Sequence, residues 1–104
     1  MLPEIKRKKF KHEEIGEYLK GGWFKQFAGI ENATKARRRL RMVAESENKK
    51  DFAMFSGVRL ELISGTENHY SIWINRQWRI FFIWENNQAW EIDLSKHDYK
   101  KLHR

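Results

Sequence analysis

The chain of 104 residues has no cysteine, one proline and no apolar run long enough to cross a bilayer. Without cysteine there is neither a disulfide framework nor a thiolate zinc site, so a reducing compartment such as the cytoplasm is the default expectation. Without a long apolar run no membrane-spanning helix is expected. The opening MLPEIKRKKFKHEE is basic but has no apolar centre, so it does not read as a secretory signal. Acidic residues are scarce in the first half only. Residues 1–50 hold 14 Lys/Arg against 7 Asp/Glu, whereas residues 51–104 hold 7 of each. The net charge of +7 and the pI near 9.8 therefore come from the first half. A polyanionic partner, nucleic acid or an acidic protein segment, is the expectation; the plain alternative is a soluble protein that happens to be basic.

No repeat, low-complexity linker or composition break divides the chain, so residues 1–104 read as one domain. IKRKKF is a short, heavily charged candidate for a first strand. HEEIGEYLK, residues 12–20, spaces Ile15, Tyr18 and Leu19 for a helix, with acids early, Lys20 late and Gly21-Gly22 as its stop. Trp23, Phe24 and Phe27 then read as core anchors of a loop. Asn32 is placed to cap a second helix, in which Ala33, Ala36, Leu40, Val43 and Ala44 form one apolar stripe. Lys35, Arg37, Arg38, Arg39 and Arg41 occupy much of the remainder.

From residue 58 the period becomes 2. Val58, Leu60 and Leu62; Tyr70, Ile72 and Ile74; Trp78, Ile80, Phe82 and Trp84; and Trp90, Ile92 and Leu94 each alternate with the opposite face. Short connections join antiparallel neighbours. The expected fold is α+β: two N-terminal helices on a curved antiparallel sheet of four to five strands, covering the face lined by Ile72, Ile74, Ile80, Phe82 and Ile92. Trp78, Trp84 and Trp90 fall on this core face. Arg79 falls on the other, partly open face with Arg59, Glu61, Trp73, Phe81, Glu91 and Asp93. Cations, acids and rings gathered on one concave surface suit a flexible nucleic-acid strand.

The run VRLELISGTENHYSIWINRQWRIFFIWENNQAWEIDL, preceded by two helices, resembles the HigB branch of RelE-type toxins. The similarity lies in R-L-E-x-x-x-G (Arg59 to Gly65), Y-S-I-x-I-N (Tyr70 to Asn75), Q-W-R-I-x-F-x-W (Gln77 to Trp84), E-I at Glu91 and D-Y at Asp98-Tyr99, with Phe10 to His12 at the start. The resemblance implies a RelE-like toxin that enters the ribosomal acceptor site and cuts mRNA without a metal or other cofactor. In that chemistry the ribose 2′-hydroxyl attacks the adjacent phosphate, leaving a cyclic phosphate and a 5′-hydroxyl. It also implies a neighbouring helix-turn-helix antitoxin of the HigA type, through which alone operator DNA is bound, and no membrane partner. The chain departs from the family at Trp73, where many members carry Arg; at Ser64, where many carry Lys; and at Lys100, which replaces a final His; at Glu61 some members carry His, while Glu is also a common choice.

Cleavage needs a phosphate clamp, charge stabilisation and proton transfer. Arg79 matches the family's strand arginine and offers two parallel donors at any working pH; otherwise it pairs with Glu91 or Asp93. Glu61 is a candidate base or an ion-pair partner of Arg59. His97 is a candidate general acid or base, since an unperturbed imidazole has its pKa near working pH, or a solvated histidine on the polar C-terminal tail. Asp98 and Tyr99 fit the family's tail; Tyr99 contacts RNA or packs on the sheet edge. Trp73 is a stacking platform or an antitoxin anchor. Arg59, Arg76, Lys96 and Lys100 are candidate RNA contacts, as are Arg37, Arg38 and Arg41 of the basic helix, whose alternative is a solvated face. His12 and His69 sit in polar loops without a carboxylate at ligand spacing, so no metal site is expected.

Overall fold

A computed structural model describes residues 7–54 and 57–96. Helix α1 spans Glu13–Leu19 and buries Ile15 and Tyr18. It stops where expected: Gly21 takes φ +106°, a left-handed value that costs glycine little, and the Gly22 amide turns back to Glu17 O at 2.9 Å. Helix α2 spans Ala33–Glu45. Asn32 Oδ1 accepts from the Lys35 amide at 3.0 Å, satisfying a donor the helix leaves unpaired. Its stripe of Ala36, Leu40 and Val43 is wholly buried. Two 3₁₀ turns, Lys25–Phe27 and Lys49–Met54, carry Phe27 and Phe52 into the core.

Four strands follow: β1 Glu61–Leu62, β2 His69–Trp73, β3 Trp78–Glu85 and β4 Gln88–Lys96. They form one antiparallel sheet in chain order. The turns are legible in their residues. Asn75 Oδ1 accepts from the Gln77 and Trp78 amides, both at 2.9 Å, folding the β2–β3 connection. Asn86 and Asn87 both take positive φ, +52° and +59°, as the tight β3–β4 turn requires. Residues 8–11 lie parallel along the outer edge of β4, where the Glu91 and Ile92 amides donate to Lys8 O and Lys9 O at 2.8 and 3.0 Å. The sheet is thus four-stranded with a short parallel strip beside it, in place of a full fifth strand.

The helices cover the face expected. Ile72, Ile74, Ile80, Phe82 and Ile92 are buried with Leu40, Val43 and Phe52, each such side chain contributing roughly 1.5–3 kcal/mol of apolar burial. Trp78 is buried there and Trp84 packs against its margin.

Three expectations fail, each for a local reason. Trp90 leaves the core face because β4 bulges: Ile83 pairs with Trp90 but Phe81 with Asp93, and Glu91 in the bulge takes φ +49°. One extra residue shifts the phase, so Trp90 shares the Ile83 side. Leu60 and Leu62 are 36% and 52% exposed because Arg59, at φ +50°, turns the chain after buried Val58 and shortens β1 to two residues. Trp23 is 75% exposed; Phe24 and Phe27 fill the space instead, in an edge-on contact.

Candidate functional site

The uncovered sheet face is built from rows of paired residues. Glu61 stands opposite Ser71, Ser71 opposite Phe81 and Phe81 opposite Asp93. In the next row Trp73 stands opposite Arg79 and Arg79 opposite Ser95. Arg59, Glu61, Trp73, Arg79, Phe81 and Asp93 therefore share the face that strand alternation assigns them, and Glu91 joins them at the bulge.

Arg79 departs from expectation in its exposure. It is only 3% accessible. Its guanidinium lies 3.8 Å from the Trp73 ring centre, and Nη1 donates to the carbonyls of Asn75 and Trp78. On Trp73 a second guanidinium rests, that of Arg59, at 4.0 Å. One indole thus holds two cations. Two like charges so close are tolerable because the ring quadrupole attracts both and backbone carbonyls take up Arg79's donors. Arg39 of α2 fixes the platform from behind, with Nη1 donating to the carbonyls of Trp73 and Gly57. Its burial and the nearby Arg38 lower the Arg39 pKa.

A groove of about 300 Å³ continues along this face from the stack. Phe81, Ile83, Ile63 and His69 line it, with Lys11, Glu91 and Asp93. Asp93 lies 3.8 Å from Lys11, and Glu91 accepts from Arg7 at 3.2 Å. Glu91 and Asp93 are thus tied to the first segment of the chain. His69, read from sequence as a loop residue, is the first residue of β2 and pairs with Ile83; the period-2 pattern starting one residue earlier was its signal.

The remaining candidates scatter. Glu61 is exposed, and among the described residues its carboxylate holds no ion pair. Arg76 lies exposed in the β2–β3 turn, beside Asn75 and Gln77. Lys96 is exposed at the end of β4, 5.7 Å from the Trp78 ring. Arg37 is not a surface cation: Nε donates to Tyr18 O at 2.8 Å, Nη2 to Gly22 O at 3.3 Å, and the group lies 4.5 Å from the Tyr18 ring. Tyr18 O lies in the last turn of α1 and Gly22 O in the segment after it, and this arginine ties both to α2. Arg38 is exposed, and Arg41 forms a one-turn ion pair with Glu45 at 3.4 Å. His97, Asp98, Tyr99 and Lys100 lie outside the described residues. Among the described residues no cluster of His, Asp and Glu is arranged to hold a metal ion, and no helix is long and apolar enough to cross a membrane.

A profile of HigB-like toxins, described as RelE-like toxins of type II toxin–antitoxin systems, matches residues 8–97. The chain belongs to the HigB-like toxin family. The HigB-like chain is also 38% identical over 63 residues to an uncharacterized protein of Haemophilus influenzae. That alignment covers 60% of this chain and 62% of the relative.

Proposed function

We propose that this HigB-like toxin cleaves mRNA on the ribosome, in the cytoplasm, as a single domain of residues 1–104 silenced by a helix-turn-helix antitoxin of the HigA type. The reading is carried by the stack of Arg59, Trp73 and Arg79 on the uncovered sheet face. Cleavage through the 2′-hydroxyl asks the protein for position and charge more than for covalent chemistry. Arg59 reaches a phosphate from solvent. Arg79 lies one layer beneath, so it meets the phosphoryl oxygens only when the Trp73 ring turns aside. The carboxylate of Glu61 is available to accept the 2′-hydroxyl proton. By family resemblance His97, Asp98 and Tyr99 would supply the remaining proton transfer and RNA contact, with Lys96, Lys100 and Arg76 along the strand. Exposed Arg38 and Arg41 suit ribosomal RNA backbone, which needs charge without base reading. Operator DNA is reached through the antitoxin only.

The test uses the isolated toxin, since bound antitoxin at high excess over its dissociation constant silences it whatever its activity. Purified ribosomes programmed with a defined mRNA are incubated with the chain, and new 5′ ends are mapped by primer extension. The wild type is expected to cut, and Arg79→Ala to cut about 10²- to 10³-fold more slowly while its circular dichroism is unchanged. Cleavage that survives the substitution at full rate would remove Arg79 from the mechanism.

A second reading is favoured by the burial of Arg79, with Trp73 and Ser64 standing where the family prefers cations. In that reading the chain binds its antitoxin and tunes repression without cutting RNA. Wild-type protein that leaves every message intact, yet still binds the antitoxin, would decide for it.

A further inference from the structure

We propose that the groove beside the stack is a subsite for one unpaired RNA base, with guanine preferred and uracil disfavoured. The inference rests on the cleavage reading for the strand's path and on the groove's own chemistry for the base. Phe81 follows Arg79 by two residues on β3, so the same face carries it about 7 Å further on. A strand whose phosphate meets the Arg59–Trp73–Arg79 layer therefore brings its neighbouring base over the half-buried Phe81 ring. Phe81 supplies a stacking surface, and Ile63 and Ile83 make the walls apolar. A volume of about 300 Å³ admits one base.

What enters is a base and not a phosphate, because Glu91 and Asp93 line the same groove. Carboxylates repel the backbone but accept from ring and amino N–H groups. Guanine presents two such donors side by side, matching the two oxygens of one carboxylate; adenine and cytosine present an amino group; uracil has a single ring N–H set between two carbonyl oxygens, which a carboxylate repels. Glu91 Oε2 accepts from Arg7 and leaves Oε1 for the base, while Asp93 accepts from the Leu94 amide at 2.9 Å and from Ser95 Oγ at 3.2 Å beside Lys11 at 3.8 Å, so both acids are held in place without a base present.

Backbone strain points to the same surface. Four described non-glycine residues have positive φ: Asn86 and Asn87, which tolerate it in their turn, and Arg59 and Glu91, which do not. Both costly cases sit on this face, one on the Trp73 ring and one lining the groove. Left-handed residues other than glycine and asparagine are costly and gather at functional sites.

The experiment titrates isotope-labelled full-length toxin with guanosine, adenosine, cytidine and uridine 5′-monophosphates, following amide and side-chain resonances. Guanosine monophosphate should shift His69, Phe81, Ile83 and Asp93, with uridine monophosphate at least tenfold weaker. Phe81→Leu, which keeps the apolar bulk, should weaken the guanine complex roughly tenfold through lost stacking. Glu91→Gln, which keeps the volume, should erase the preference of guanine over uracil. Equal affinity for all four nucleotides, or shifts confined to another surface, would overturn the subsite. Failure of the ribosomal assay with these shifts intact would sink the cleavage reading alone. Cleavage whose base preference is unchanged in Phe81→Leu and Glu91→Gln would sink the subsite alone.

Discussion

Arg37 and Arg38 are neighbours in sequence and opposites in use. Arg37 closes two carbonyls at the end of α1 and lies on Tyr18, whereas Arg38 points to solvent. Arg37→Met is expected to lower the unfolding free energy by about 2 kcal/mol, the scale of hydrogen bonds made by a charged donor. Arg38→Met should change it by less than about 0.5 kcal/mol. Urea unfolding of the two variants separates the roles. The burial of Tyr18 also raises the pKa of its phenol, against the smaller opposing effect of Arg37. Which arginine does which task was not readable from ARRRLR, because the run fixes the helix face and not the partner across from it. Arg79 shows the same limit. Alternation placed it on the correct face, but its burial depends on a tryptophan and two carbonyls that only the closed hairpin brings together.

Elements were legible where one local rule sufficed. The caps, the α2 stripe and strands β2 and β3 follow from spacing, the β2–β3 turn from the side-chain oxygen of Asn75, and the β3–β4 turn from the backbone angles that Asn86 and Asn87 accept. Asn32→Ala should cost about 1 kcal/mol through the lost cap. Asn87→Gly should be tolerated at φ +59°, while Asn87→Val should cost about 1–2 kcal/mol, since a β-branched residue is strained there. Thermal unfolding of these variants tests both. Illegibility set in where an extra residue changed phase. The β4 bulge carries no glycine to announce it, so strict alternation puts Trp90 on the wrong side and hides the groove that Glu91 lines. Leu60 and Leu62 misled for a related reason: an arginine, not a glycine, occupies the left-handed position at residue 59.

At the scale of the molecule, a guanidinium joins the first and last strips of the sheet. Arg7 Nε meets Glu85 Oε2 at 2.6 Å, and its Nη1 meets Glu91. The hydrogen bond from Arg7 is the main cause that holds the Glu85 carboxyl below its usual range, and the Arg7 pKa is raised in turn, chiefly by the same bond. The folded chain therefore binds this proton less tightly than the unfolded chain does. The contribution is full above the ordinary carboxylate range and is lost as pH falls through the lowered value. Glu85→Gln should lower the melting temperature at neutral pH and flatten its decline in acid; melting curves between pH 7 and pH 3 would show whether the two proteins converge. A further consequence concerns birth on the ribosome. Residues 8–11 emerge early and find their partner, β4, only some 80 positions later. Until that late strand has cleared the exit tunnel, neither Lys11 nor Glu91 has a neighbour to stand beside, and the aromatic trough between them does not exist. On the cleavage reading proposed above, a nascent copy has no place to seat a message base until β4 has folded back on the opening segment.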